Sequence, residues 1–137
     1  MVKSAIITAA GSGRRFGEAK QFKKLHGKPL YQYSLDTFIK SRLFDEIILV
    51  IPNSNQEKVQ KEIKRKYNSQ VGLVIGGSDR QDSVKNAIQN SNPNIDLVVI
   101  HDAARPFITT RLIKKAYLEA KKNDYRFLSY GDAMIIV

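Results

Sequence analysis

Short apolar runs typical of β-strands alternate along this sequence with segments of helical periodicity, and this alternation constrains the fold more than any other feature. The strand-type runs cover residues 2–8, 46–51, 71–75 and 96–100. The second run is apolar after its first residue, which is typical of a strand that is buried on both faces. Four strand–helix units in succession predict an α/β domain with an open, mostly parallel sheet and helices on both faces.

The segments between these runs carry apolar residues at helical spacing. The first predicted helix covers residues 29–42, and Ser54 with Glu57 forms a capping box that predicts the start of the second helix. Thr109 or Thr110 is expected to cap the last helix. The apolar residues that define the helices are Tyr31, Leu35, Phe38, Ile39, Val59, Ile63, Tyr67, Val84, Ala87, Ile88, Leu112, Ile113, Ala116, Tyr117 and Ala120.

Residues 9–21, which follow the first strand, combine glycines with cations. Glycine lets the backbone wrap closely around a ligand, and Arg14, Arg15 and Lys20 add positive charge, so this loop favours phosphate binding. Two common phosphate loops do not fit, because the sequence has no Walker string and its third glycine comes one residue too late for a dinucleotide fingerprint. The alternative is a flexible surface turn with solvated charges.

Residues 76–83 form a second polar loop between a predicted strand and a predicted helix. Two glycines permit close backbone approach, and the start of the helix offers free N–H groups. Such a loop suits a nucleobase or sugar edge that is bound by backbone groups together with Ser83. The alternative is an ordinary turn in which Ser78 or Asp79 caps the helix.

Residues 101–106 follow the last predicted strand and begin with two ionisable side chains. Asp102 is a natural magnesium ligand, since Mg²⁺ is usually held by one or two carboxylates and by substrate phosphates. His101 could be a base, but a packed or backbone-bonded histidine is the favoured interpretation. Arg105 is expected to brace the loop by pairing with an acid. Because ligands bind beyond the carboxyl ends of parallel strands, the three loops predict one site.

Charge and composition narrow the range of partners. The 137 residues carry a net charge of +10, which favours anionic partners such as nucleic acid or a phosphorylated metabolite. The lysines are dispersed without an aromatic-interleaved stripe, so most are interpreted as solvated surface and no nucleic-acid partner is expected. The lack of cysteine excludes thiolate catalysis and cysteine zinc sites. No apolar run approaches the ~18 residues of a membrane span, so we expect a cytoplasmic protein without a membrane partner.

Taken together, the three loops resemble those of the 2-C-methyl-D-erythritol 4-phosphate cytidylyltransferases, within the wider sugar-phosphate nucleotidyltransferases. The resemblance rests on residues 9–21, on Gly-Gly-Ser-Asp-Arg-Gln-Asp-Ser-Val at 76–84 and on His-Asp-Ala-Ala-Arg-Pro-Phe at 101–107. It covers about residues 2–122, with the motifs in the same order. The ribitol-5-phosphate cytidylyltransferases are the nearest alternative, but they tend to carry Ala-Gly-Gly in the first loop and valine at the position of Ala104.

The resemblance implies a Rossmann-like nucleotidyltransferase fold and the transfer of CMP from CTP to 2-C-methyl-D-erythritol 4-phosphate, with release of pyrophosphate, in non-mevalonate isoprenoid biosynthesis. It implies that Arg15 and Lys20 are the catalytic cations and that Asp102 holds Mg²⁺. It also implies a homodimer for the full-length form and, in some relatives, fusion to a second isoprenoid enzyme. The residues to which it assigns nucleotide binding are Ala9, Ala10, Gly11, Ser12, Gly13, Gly76, Gly77, Ser78, Arg80, Ser83 and Ala103.

The resemblance stops at about Asp124, and the sequence ends on four apolar residues that look like a strand cut mid-way. We therefore expect residues 1–137 to form a single nucleotide-binding and catalytic domain that is the N-terminal portion of a longer domain. Residues 125–137 are expected to be an atypical tail that arises from truncation or a frame shift. Two other interpretations remain, a nucleotidyltransferase of another sugar or alditol phosphate and a CTP-binding fragment with little or no turnover.

Overall fold

A parallel sheet forms the centre of the computed structural model, which describes residues 1–11, 19–123 and 133–136. The strands are β1 (Lys3–Thr8), β2 (Lys24–Leu25), β3 (Lys28–Pro29), β4 (Glu46–Ile51), β5 (Gly72–Ile75), β6 (Leu97–Asp102) and β7 (Ala133–Ile136). The main sheet has the order β5-β4-β1-β6-β7, and each of its neighbouring pairs is parallel. The predicted parallel sheet is therefore confirmed.

Helices cover both faces of this sheet. They are α1 (Leu30–Ser41), α2 (Gln56–Tyr67), α3 (Arg80–Gln89) and α4 (Thr110–Asn123). Alternate strand residues such as Ala5 and Ile7 pack with residues of α1, α2 and α4, whereas Ile6 and Val50 pack with Ala87 of α3. This alternation is the period-2 side-chain pattern of strands, and it confirms the prediction of helices on both faces. In the described ranges, no helix combines the length and the apolar character needed to cross a membrane.

The order of the strands creates a crevice between β1 and β6. From β1 the chain moves outward to β4 and β5, and it then returns to place β6 on the other side of β1. Thr8, the last residue of β1, pairs with Asp102, the last residue of β6. Ligands of open α/β sheets bind where the strand order reverses in this way, beyond the carboxyl ends of the strands.

Two predicted helix starts have different outcomes. Thr109 caps α4, because its Oγ1 accepts a hydrogen bond from the N–H of Leu112 at 3.1 Å. The prediction of a capping box at Ser54 and Glu57 is wrong, since Asn53–Asn55 forms a 3-10 turn and α2 begins at Gln56 without a side-chain cap. Ser54 lies inside that turn, where its hydroxyl donates to the side chain of Asn55 at 3.2 Å instead of to the helix.

Residues 20–28, for which the sequence predicted no helix or strand, form a compact connection to α1 together with Pro29, which lies in β3 and not in the predicted helix. A 3-10 turn at Lys20–Phe22 is followed by the antiparallel hairpin of β2 and β3. The hairpin turns at His26 and Gly27, whose φ values of 53° and 77° are both in the left-handed region that two-residue hairpin loops favour. Phe22 packs edge-on against Tyr31 of α1, with ring centroids 5.9 Å apart, so the 3-10 turn is anchored to the helix layer.

Candidate functional site

The three predicted loops begin side by side at the carboxyl edge of the sheet. Backbone hydrogen bonds continue the strand pairing by one residue into each loop, from Ala9 N to Val50 O at 2.7 Å, from Gly76 N to Ile51 O at 2.8 Å and from Ala103 N to Thr8 O at 2.9 Å. Each loop is thus fixed to a neighbouring strand where it begins. The prediction that they share one edge of the sheet is confirmed.

The first and second loops contact each other at Gly76. A Cβ atom at this position would lie 2.5 Å from Cβ of Ala10 and 2.7 Å from Oγ of Ser83. Both distances are too short for any side chain, so glycine is required here because two segments of the chain approach closely. Gly11, in contrast, has no atom of the described residues within 4 Å of the place where a Cβ would be.

The second loop is held together by its own side chains. Ser83, which is 2 % exposed, accepts a hydrogen bond from Gly77 N at 3.1 Å and donates one to Asp79 O at 2.9 Å. Asp79 caps α3 by accepting from Asp82 N at 2.7 Å, and Ser78 donates to the Asp82 carboxylate. The turn interpretation is therefore confirmed for Asp79. Ser83 uses its hydroxyl proton within the loop, so it can offer a ligand only a lone pair.

The third loop places one carboxylate beside the crevice. Oδ1 of Asp102 accepts the N–H of Ala104 at 2.9 Å, while its backbone carbonyl accepts the N–H of Arg105 at 3.0 Å. In the part of the chain that the structure describes, Oδ2 of Asp102 has no hydrogen-bond partner. The side chain is half-buried, and Ala103 beside it is fully buried. A carboxylate with one oxygen fixed and the other open fits a magnesium ligand whose remaining positions are taken by phosphates and water.

His101 is a structural residue of this edge. It is 2 % exposed, and its Nε2 lies 2.9 Å from the carbonyl oxygen of Arg105 and 3.2 Å from Oγ of Ser34. Because a carbonyl oxygen can only accept, Nε2 carries a proton and donates it to Arg105. The ring also packs against Phe38, with centroids 5.5 Å apart. The packed, backbone-bonded interpretation is confirmed.

Arg105 braces the loop differently from the prediction. Its carbonyl oxygen accepts from His101 and also from Oγ of Ser34, at 3.3 Å. Its side chain is exposed, and no acid among the described residues pairs with it. Among the described residues, the loop is therefore braced by the backbone carbonyl of Arg105, through His101 and Ser34, and not by the expected ion pair.

Gln21 is the residue of this edge that the sequence analysis missed. Its side chain is 6 % exposed, and its Nε2 donates to the carbonyl oxygens of Ala9 at 2.9 Å and of Gly11 at 2.8 Å. Lys20, the predicted catalytic cation beside it, is exposed at the start of the 3-10 turn. A glutamine next to a lysine gives no signal in the sequence, since only the folded chain brings it back to the start of the loop.

Several predicted site residues have no described position. Arg15, Ser12 and Gly13 lie outside the described residues. Of the remaining nucleotide-binding candidates, Gly77, Ser78 and Arg80 are exposed at the second loop. The described candidates thus come from the three loops that begin at the carboxyl edge of the sheet.

Comparison with known proteins places the chain in a family. The IspD model, described as 2-C-methyl-D-erythritol 4-phosphate cytidylyltransferase, matches residues 3–128, a little beyond the point at which the sequence resemblance stops. The chain belongs to this family. It is 41 % identical over 122 residues to the 2-C-methyl-D-erythritol 4-phosphate cytidylyltransferase of Clostridium beijerinckii, a match that covers 87 % of this chain and 54 % of that protein. The chain thus spans about half the length of the curated relatives it matches.

Solved structures of the IspD family have the same fold. The 4-diphosphocytidyl-2C-methyl-D-erythritol synthase of Anaerococcus prevotii matches with a TM-score of 0.77 and 34 % identity, over 88 % of this chain and 52 % of that one. The bifunctional IspDF of Campylobacter jejuni matches with a TM-score of 0.73 and 25 % identity, over 89 % of this chain and 31 % of that one. The predicted nucleotidyltransferase fold is confirmed.

Proposed function

We propose that the protein to which this chain belongs transfers CMP from CTP to 2-C-methyl-D-erythritol 4-phosphate and releases pyrophosphate. The observation that carries the proposal is the family match over residues 3–128, which includes all three loops at the carboxyl edge of the sheet. The relatives that share this region are named for the same reaction.

In this reaction one phosphorus–oxygen bond forms and one breaks. A phosphate oxygen of the acceptor attacks the α-phosphorus of CTP, and the bond from that phosphorus to the oxygen of the β-phosphate breaks, so that pyrophosphate leaves. The two anionic substrates must approach each other while negative charge builds on the α-phosphate and on the leaving pyrophosphate. Catalysis is then mainly positioning and charge neutralisation, and it needs no covalent intermediate. The buried, backbone-bonded state of His101 agrees with a scheme that uses no side-chain base.

We assign the charge-neutralising role to Arg15 and Lys20, as cations of the first loop. Asp102 would hold Mg²⁺ through the carboxylate oxygen that no described residue contacts. When bound, Mg²⁺ supplies positive charge to the triphosphate. The nucleotide would be held by the eleven residues named from the resemblance. Gly76, Gly77 and Ser83 among them shape the rigid second loop that would face the base or the ribose.

We further propose that the protein acts on these small molecules in the cytoplasm and that the full-length form is a homodimer. The cytoplasmic location is supported by the phosphorylated nature of both substrates. The dimer rests on the resemblance to the family. Light scattering of the full-length protein should give twice the mass of one chain, and a monomer that turns over substrate would contradict the dimer.

Thermal shift measurements test the nucleotide. With Mg²⁺ present, CTP should raise the melting temperature more than ATP, GTP or UTP, because a ligand that binds only the folded state stabilises it by mass action. Equal shifts with all four nucleotides would leave only a general triphosphate site. Pyrophosphate release then tests the acceptor, with 2-C-methyl-D-erythritol 4-phosphate and ribitol 5-phosphate compared. Faster release with ribitol 5-phosphate would overturn the proposed acceptor.

A further inference from the structure

Gln21 links the start of the first loop to the helix layer. Its backbone lies in the 3-10 turn Lys20–Phe22, in which Phe22 N donates to Ala19 O at 3.2 Å and Phe22 packs against α1 through Tyr31. Its side chain reaches back ten to twelve residues to two carbonyls at the end of β1. The loop that leaves β1 is therefore anchored to α1 through one buried side chain.

The direction of these hydrogen bonds determines which backbone groups the loop can offer to a ligand. In a trans peptide the C=O and the following N–H point in opposite directions. When the carbonyl of Ala9 points at Gln21, the N–H of Ala10 therefore points away from it. A carbonyl oxygen that faced a phosphate would repel it, whereas an N–H attracts it. Gln21 holds two carbonyl oxygens on the buried side and thereby favours N–H groups on the opposite side, where no atom of the described residues lies within 4 Å of a Cβ at Gly11.

We propose that Gln21 is a positioning residue of the triphosphate site, which turns the carbonyls of Ala9 and Gly11 inward so that the first loop presents donors to phosphate. The inference rests on the proposed function, since it concerns the same loop. Both side-chain protons of a primary amide are needed for the two bonds, and no other neutral side chain of this length supplies them from one nitrogen. Gln21 need not contact the ligand to act in this way.

The experiment measures CTP·Mg²⁺ affinity by calorimetry, well below the melting temperature of each variant. Gln21→Met keeps an unbranched side chain of similar length but removes both donors, and we expect CTP to bind roughly tenfold more weakly. Gln21→Glu places a carboxylate against the two carbonyls and should weaken binding further. The matched control is Gln32→Met. Gln32 is also buried, at 7 % exposure, but its amide bonds to the Tyr31 hydroxyl and accepts from Lys66 in the helix layer. This control should lower the melting temperature and leave CTP affinity unchanged.

If the variants do not fold, a measurement on the wild-type chain still tests the inference. The side-chain amide protons of Gln21 should exchange slowly with solvent in the free chain and in the presence of CTP·Mg²⁺. Rapid exchange on addition of CTP would overturn the inference, because the two bonds would then be absent from the bound state. Wild-type affinity in both Gln21 variants, or an equal loss in Gln32→Met, would overturn it as well. A wild-type chain that does not bind CTP would instead overturn the proposed function, and the role of Gln21 with it.

Discussion

Two polar clusters of this molecule use their side chains in opposite ways. In the first, here called the Asp36 cluster, charged groups of β3, α1 and α2 bind one another. Lys28 and Lys66 both contact Oδ2 of Asp36, the latter at 3.3 Å, and Tyr67 donates to Oδ1 at 2.6 Å. Lys66 also donates to Gln32 at 3.0 Å. The charged groups of this cluster thus find their partners within the chain.

At the carboxyl edge of the sheet the polar side chains bind the backbone instead. Gln21, Ser83 and His101 all donate to carbonyl oxygens, and Asp102 holds a backbone N–H with one of its two oxygens. These bonds fix the shape of the loops without neutralising the charges they carry. The difference teaches that a cluster whose charges pair internally stabilises the fold. The fixed backbone of the carboxyl edge agrees with the site that we propose for a charged ligand.

Proton affinities in the Asp36 cluster agree with a structural role. Burial alone would raise the pKa of Asp36, but hydrogen bonds from Lys28 and Tyr67 and the charge of Lys66 outweigh it and hold the pKa below its ordinary value. Burial raises the pKa of the Tyr67 hydroxyl, and its bond to Asp36 raises it further. Asp36 is thus ionised and Tyr67 is protonated at neutral pH, which is the state in which their hydrogen bond is strong.

The largest effect should come from Lys20 and Arg15, the proposed catalytic cations. In the form of the protein that turns over substrate, Lys20→Ala and Arg15→Ala should each lower kcat by about two to four orders of magnitude. This corresponds to a loss of ~3–5 kcal/mol of transition-state charge stabilisation, since each tenfold change in rate is about 1.36 kcal/mol. Pyrophosphate release at saturating CTP measures the change.

A helix-surface lysine is the control for this experiment. Lys61 of α2 is 78 % exposed and lies 3.7 Å from Glu57, so its removal should leave kcat unchanged. A loss in Lys61→Ala as large as that in Lys20→Ala would break the comparison. It would show that general positive charge, rather than the charge of the first loop, supports the reaction.

A smaller effect is expected where the first and second loops contact each other. Gly76→Ala would force its Cβ against Ala10 and Ser83, so we expect it to lower the free energy of unfolding by ~1–3 kcal/mol. It should also weaken CTP binding, because the two loops must separate. Chemical denaturation and calorimetry measure the two changes.

Gly72→Ala in β5 is the matched substitution. Its new Cβ would have its nearest contact at 3.7 Å, on Ile48, which is ordinary van der Waals distance. This variant should therefore keep the stability and the CTP affinity of the wild type. Wild-type CTP affinity in Gly76→Ala would show that the contact between the loops has no part in the site.

The sheet was predictable because its central strands are apolar runs, whose burial does not depend on the conformation of the loops. Glu46–Ile51 was predicted to the residue, and Asp102 was placed at the end of a strand from the same pattern. The capping box at Ser54 failed because a 3-10 turn, which has no periodic signal, competes with the first turn of α2. Local pattern can identify a candidate cap, but the backbone around it decides whether the side chain is used.

The candidate site was only partly predictable for a related reason. Residue types indicated the loops and the ionisable groups, since glycine, lysine and aspartate at strand ends are typical of phosphate and metal binding. The contacts of Gln21 with Ala9 and Gly11 depend on a 3-10 turn that brings the side chain back to the sheet edge. The bracing of His101 by the Arg105 carbonyl depends on a backbone turn. Neither contact has a sequence signature.

The smallest effect concerns the Asp36 cluster and depends on pH. Asp36→Asn should lower the free energy of unfolding at pH 7 by about 1 kcal/mol, a modest value because a third of the side chain is exposed to solvent. The folded-state pKa of Asp36 lies below its ordinary value of 3.8, so the unfolded chain takes up the proton first. The contribution of Asp36 is therefore complete above that value and is lost as the pH falls through the folded-state pKa.

Denaturation of wild type and Asp36→Asn between pH 7 and pH 2 sharpens the comparison between the two clusters. The difference in stability should be constant down to about pH 5 and should then narrow, because ionised Asp36 is lost from the wild type alone. CTP affinity at pH 7 should be the same in both proteins, since no residue of this cluster belongs to the three loops at the carboxyl edge of the sheet. Glu57→Gln, whose carboxylate is 89 % exposed, is the control and should show no comparable pH dependence. A constant difference down to pH 2 would mean that the hydrogen-bond geometry of Asp36, and not its charge, stabilises the fold.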